Sequence, residues 1–289
     1  MNNITTSAVY QTPLSDPFLK FSPFKNLTDS LYLIHLHEIV GSFIFYQFIL
    51  YQWLAPNFNK FFFRKAYTKI EDKKLKVNFD IHVVSMVQCL ISIYLVLPPA
   101  ITQPFGLNIN SYTDSYNSMV SSVSVGYFLW DLCVCVQHFN LFGLQFLCHC
   151  LASLFVFFST LRPFCQSWVC KFLIFEASTP FVNINWFISV LVKQNGNIKI
   201  PTWFNVLNGI SLILVFFLVR IVWGFTAISV LAYQAYKIWD EVPHGLMSII
   251  LMINFLLDFL NIFWLSKMLK IAKKMLGGNE TTARKGKKN

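Results

Sequence analysis

Long apolar runs separated by short polar ones organise this chain from residue 31 almost to its end. Runs close to the roughly 20 residues that a helix needs to cross a bilayer core occupy about 31–54, 80–98, 118–137, 142–161, 167–192, 203–231 and 245–266. Apolar side chains surround each run instead of forming one stripe, as expected of helices bathed in hydrocarbon. The pattern predicts an all-α, multi-pass transmembrane helical bundle of seven spans, or six if the fifth stops short of the far side. Residues 1–30 are polar and Pro-interrupted, without the short apolar core of a cleavable signal, so the first span is expected to act as an uncleaved one.

The fifth run, SWVCKFLIFEASTPFVNINWFISVLV, departs from the others. It holds Glu176, Ser178, Thr179, Pro180, Asn183 and Asn185, each costly in hydrocarbon without a partner or a cavity. Proline cannot donate its backbone N–H and clashes with the preceding turn, while Ser or Thr before it can start a new helix. Ser178-Thr179-Pro180 therefore predicts two half-helices kinked just after Glu176. On ideal helical spacing Asn183 and Trp186 extend the face of Glu176.

Composition sharpens this picture. The chain is 55% hydrophobic and 12% charged, against roughly 25% charged in a soluble domain, so an ordinary soluble fold is excluded. The net charge of +10 does not imply nucleic acid, because the basic residues sit between apolar runs and form no folded patch. With seven spans, segments 55–79, 138–141, 193–202 and the tail from Lys267 hold 17 Lys/Arg, against 4 in residues 1–30, 99–117, 162–166 and 232–244. The positive-inside bias makes the first set cytosolic. The expected organisation is then a lumenal segment 1–30, a first helix 31–54, a basic cytosolic loop 55–79, a core bundle 80–266 and a basic cytosolic tail 267–289. Sequons at Asn3 and Asn26 would face the lumen. Lys285 and Lys287, fifth and third from the end, resemble a dilysine retrieval signal read by coat proteins of the endoplasmic reticulum; a plain stop-transfer tail explains them equally well.

Chemistry must come from polar residues inside the spans. Asp131 and His149 fall in cytosolic halves, Glu176 and Arg220 in lumenal ones. Asn254, Asp258 and Asn261 stand at i, i+4, i+7 and share a helical face. A buried arginine needs a counter-charge, and Asp258 is the partner expected for Arg220. Cys148-His149-Cys150 does not read as a metal site, since consecutive helical residues point about 100° apart and no second ligand cluster follows. The seven cysteines all lie in apolar segments and read as small buried hydrophobes.

Five segments together resemble the TLC-domain family, which includes ceramide synthases and translocon-associated membrane proteins: GYFLWDL (126–132), HCLASL (149–154), FEASTPFVNINWF (175–187), FFLVRI (216–221) and LDFLNIFW (257–264). The likeness is closest to the small transmembrane-protein-56-like members. It implies six spans around a central cavity plus the N-terminal helix, with Asp131, His149, Glu176, Pro180, Asn183, Trp186, Arg220, Asp258 and Asn261 at recurrent family positions. His149-Cys150 stands where paired histidines are usual, and Asn185 where an arginine is usual. The aspartate pair of ceramide synthases is missing.

Two functions follow from the resemblance and the inward polar groups. One is lipid homeostasis at the endoplasmic reticulum, by binding or modifying acyl lipids in a cavity lined by Glu176, Asn183, Trp186, Arg220, Asp258 and Asn261. The other is an acyltransferase that takes acyl-CoA as substrate, with His149 as base or acyl carrier and Asp131 orienting it. No cofactor and no metal are expected, and membrane lipids are the expected partners.

Overall fold

The computed structural model describes the backbone of residues 14–194 and 200–286, and the side chains of 14–193 and 200–273. Asn3 and Lys287 lie outside the described residues, as does the side chain of Lys285. Asn26 is exposed. Every regular element among the described residues is helical.

After a short turn at Leu31–Ile34 come α1 (Leu36–Phe62), α2 (Lys73–Thr102), α3 (Ser115–Gln137), α4 (Phe139–Ser159), α5 (Thr179–Gln194), α6 (Thr202–Lys237) and α7 (His244–Gly286). Helix α1 widens to π geometry over Phe45–Leu54 and α6 over Phe217–Val222. Six helices, all but α5, are long and apolar enough to cross a membrane.

The fifth run is interrupted, as Ser178-Thr179-Pro180 predicts. It is a 3-10 turn at Gln166–Trp168, one helical stretch at Val169–Leu173, a second 3-10 turn at Ile174–Ser178 and then the 16 residues of α5. The result is six long helices plus one interrupted segment, within the expected range of seven spans or six with a short fifth. The break falls where the proline predicts it: α5 opens at Thr179-Pro180, and Glu176 sits inside the preceding turn.

The helices close into a ring. Neighbours around it are α1, α2, α5, α6, α7, α4 and α3, with α3 back against α1. The seam between α4 and α7 is the thinnest of these contacts. Helix α3 is the most enclosed, and its composition allows that. Asp114 caps its start by accepting from the Asn117 N–H at 2.8 Å, and Ser118, Ser121 and Ser122 return their hydroxyls to carbonyls one turn back. Small, internally satisfied side chains let other helices approach closely. Gly126 marks the closest approach: a Cβ there would stand 2.5 Å from both the Ile39 carbonyl oxygen and Ser42 Cβ of α1. The Ser42 hydroxyl donates to the Val123 carbonyl beside it at 2.7 Å.

Gly143 turns the chain early in α4. Its φ of 74° and ψ of −177° lie in a region open essentially to glycine, although a Cβ there would touch nothing within 4 Å. Gly143→Ala is therefore strained by backbone conformation alone. It should lower stability by about 1–3 kcal/mol, read as unfolding in mixed micelles. A neutral outcome would mean that the turn relaxes without cost.

Candidate functional site

The broken segment places Glu176 and Arg220 in one internal chamber. Arg220, on the π turn of α6, donates from Nε to the Ser178 hydroxyl at 2.8 Å and from a terminal nitrogen to Thr179 at 3.4 Å. Irregular turns in both segments make this meeting geometrically available, as π and 3-10 insertions commonly do at functional sites. Arg220 has no carboxylate within 4.0 Å among the described residues, but it lies near enough for the Glu176 charge to act on it.

The expected Arg220–Asp258 pair does not form. Asp258 is buried and turned toward α6, where its Oδ1 would come within 2.6 Å of a Cβ on Gly224; its Oδ2 has no hydrogen-bond partner. Gly224 sits one turn beyond Arg220 along α6, so Asp258 of α7 meets the helix there while Arg220 faces the broken segment.

Phe128, His149, Ser153, Glu176, Arg220, Asn254, Asn261 and Trp264 line the chamber together with apolar neighbours, around a volume of about 60 Å3. On the other side of His149 lies a much larger groove of about 1170 Å3, above the roughly 300–1,000 Å3 usual for small-molecule sites. Residues of α1, α3, α4 and α7 form its walls, almost all apolar: Leu36, Ile39, Leu129, Leu151, Phe155, Leu256 among them. Leu151 and Leu256 keep about half their surface exposed, at 49% and 59%, so the groove is open on its outer flank. His149, Leu257 and Leu260 border both spaces. Trp264 closes the seam against α4, with its ring centroid 6.0 Å from those of His149 and Phe146.

His149 and Asp131 are not joined. Asp131 Oδ2 accepts from the Cys150 thiol at 2.9 Å, and Cys150 lies 3.2 Å from Cys135, sulfur to sulfur. The residue standing where a second histidine would be expected thus occupies the carboxylate. His149 Nδ1 is buried without a hydrogen-bond partner.

Asn183 and Trp186 also leave the chamber. Asn183 meets His82 at 2.8 Å through its amide oxygen and Ser85 at 3.1 Å through its nitrogen, while Trp186 stacks on His82 with centroids 3.9 Å apart. Glu176 lies in the 3-10 turn and Asn183 in α5 beyond the break, so the spacing of one continuous helix does not carry from one to the other. Asp80 anchors the basic loop, accepting from Asn59 at 2.7 Å and from Tyr67 at 2.9 Å. Burial and the adjacent Asp80 carboxylate push the Tyr67 phenol above its ordinary pKa, which keeps it a hydrogen-bond donor.

A model of the TLC domain matches residues 78–270. The chain belongs to the TLC-domain family. Among similar proteins, the Saccharomyces cerevisiae protein called Topoisomerase I damage affected protein 4 is 49% identical, over 94% of this chain and 95% of its own length. An uncharacterized TLC domain-containing protein of Schizosaccharomyces pombe is 32% identical, over 85% of this chain and 81% of its own. TLC domain-containing protein 4 of Homo sapiens is 26% identical, over 80% of this chain and 86% of its own. No solved structure matches. The TLC match begins in α2 and ends in α7, so the chamber and most of the groove lie inside it, while α1 adds one groove wall from outside.

Proposed function

We propose that this TLC protein binds an acyl lipid, with the hydrocarbon chain in the α4–α7 groove and the polar head at the chamber of His149, Glu176 and Arg220, and so acts in lipid homeostasis. One observation carries this reading: an apolar space with a lateral opening shares His149, Leu257 and Leu260 as a common wall with a chamber that holds a cation, Arg220. Burying apolar surface gives about 25 cal/mol per Å2 only relative to water, so in a bilayer the groove itself supplies little selectivity. Selectivity would come from the head, where Arg220 suits a phosphate or carboxylate oxygen. The basic loop and tail support a cytosolic C-terminus and a lumenal N-terminus, and Lys285 with Lys287 support residence in the endoplasmic reticulum through coat-protein retrieval.

The test is photo-crosslinking of a diazirine-bearing phospholipid to the reconstituted protein, with labelled peptides identified by mass spectrometry. Labelling should concentrate on groove residues and fall several-fold in Ala152→Trp, which fills the groove. Label spread evenly over all lipid-facing helices would overturn the reading.

Acyl transfer from acyl-CoA is the second reading, supported by the unpartnered Nδ1 of His149 at the junction. There His149 would act as base without Asp131, whose carboxylate is held by Cys150. Loss of an acylated product in His149→Ala, at unchanged crosslinking, would put this reading first.

A further inference from the structure

Three side chains outside the TLC match converge where the N-terminal segment folds over the start of α1. Asp16, His35 and Glu38 are all buried, at 8%, 2% and 6% exposed. His35 Nδ1 stands 3.0 Å from Glu38 Oε2 and 3.6 Å from Asp16 Oδ2. The three donor atoms all lie within 4.8 Å of one another. Asp16 is held in place through its other atoms: Oδ1 accepts from the Phe18 N–H at 2.7 Å, and its own N–H donates to Ser115 of α3 at 3.4 Å. His37 keeps its ring nitrogens 3.2 Å from the Ile34 carbonyl and 3.0 Å from the Phe18 carbonyl, and its Nε2 also stands 3.6 Å from Glu38 Oε1.

Two oxygens remain unexplained. Asp16 Oδ2 and Glu38 Oε1 are fully buried and have no hydrogen-bond partner. Two buried carboxylates beside one another repel, and each unsatisfied lone pair forfeits its hydration. The His35 imidazole offers one proton at most from Nδ1, and the His37 imidazole reaches Glu38 Oε1 only at 3.6 Å, beyond hydrogen-bond length. Buried unsatisfied polar atoms in a folded protein usually point to a missing ion or water. Water would satisfy the lone pairs but not the charge.

We propose that Asp16, His35 and Glu38 bind a divalent transition cation, with Zn2+ the best match. Nitrogen and carboxylate oxygen bind zinc at about 2.0–2.2 Å, which makes the edge of a tetrahedral site about 3.4 Å. The observed separations of 3.0 and 3.6 Å bracket that edge. Imidazole among the ligands favours Zn2+ over Ca2+ or Mg2+. The fourth position falls to water or Glu38 Oε1. Such an ion fastens the N-terminal segment to α1 and, through Ser115, to α3. It therefore buttresses the end of the groove to which Tyr32, Leu36 and Ile39 belong.

The test uses the full chain, purified without an affinity tag, stripped with chelator and titrated with zinc. One tightly held zinc per chain is expected, with an X-ray absorption spectrum showing nitrogen and oxygen ligands and no sulfur. Asp16→Asn and Glu38→Gln should each weaken binding at least about tenfold. No zinc on the wild type, zinc bound through sulfur (which would place it at Cys135 and Cys150), or an Asp16→Asn protein that binds like the wild type would each overturn the proposal. The wild-type stoichiometry and spectrum decide even if neither variant folds.

Discussion

Gly126→Val should prevent the bundle from assembling. The added Cβ alone would stand 2.5 Å from a backbone carbonyl of α1 and from Ser42 Cβ, and neither is the free end of a flexible side chain. Separating α1 from α3 would also break the Ser42–Val123 hydrogen bond at their contact. Overpacking costs about 1–3 kcal/mol where the core can adjust and more where backbone must move. We expect a loss above about 3 kcal/mol, seen as failure of the protein to accumulate and as a collapsed melting transition in whatever is recovered. Gly41 supplies the control, since a Cβ there meets nothing within 4 Å. Gly41→Ala in an exposed helical position should stabilise by up to about 1 kcal/mol. Equal behaviour of the two variants would mean that the close approach at Gly126 carries no weight.

Arg220→Met should be nearly as damaging, for an electrostatic reason. Its guanidinium donates to Ser178 and Thr179 at the break before α5 and lines the chamber together with Glu176. Methionine keeps much of the volume and removes the charge. Removing one partner of a buried charge pair typically costs about 3–5 kcal/mol, whereas replacing both by neutral groups is often close to neutral. Arg220 and Glu176 are half-buried and further than 4.0 Å apart, so the low end of that range applies. The double variant Arg220→Met with Glu176→Gln should therefore recover more than half of the loss. Unfolding free energies in mixed micelles for the four members of the cycle measure this coupling. Additive losses would show that Glu176 and Arg220 act independently across the chamber. Lipid crosslinking should stay low in the double variant, because its fold is restored without the cation proposed to hold the head.

The spans were readable because a bilayer demands apolar runs of a fixed length, and the break in the fifth was readable because proline limits what backbone can follow it. What failed were inferences that carried ideal periodicity or chemical affinity across distance. Asn183 was placed beside Glu176 by counting seven helical residues, but the break between them interrupts that count, and Asn183 meets His82 and Ser85. Asp258 was matched to Arg220 because the charges are complementary. On α6, however, Gly224 leaves a recess that takes the carboxylate, while the π turn aims Arg220 at Ser178. Asp131 was set beside His149, yet the cysteine following His149 takes the carboxylate, which becomes evident only once α3 and α4 are docked. The contact of Asp16 with His35 spans 19 residues of irregular chain that no periodicity describes. Its sequence trace was two histidines and a glutamate at the mouth of the first span.

The open flank of the groove has a kinetic side. An acyl lipid held in the groove as proposed would exchange with neighbouring lipids through its open flank, by diffusion within the bilayer and without passage through water. Its loading would then follow the mole fraction of the right lipid in that bilayer, and the aqueous solubility that limits a water-facing lipid carrier would play no part. Trp264, set against His149 and Phe146, lines the chamber and not the groove, so it does not stand on that lateral route.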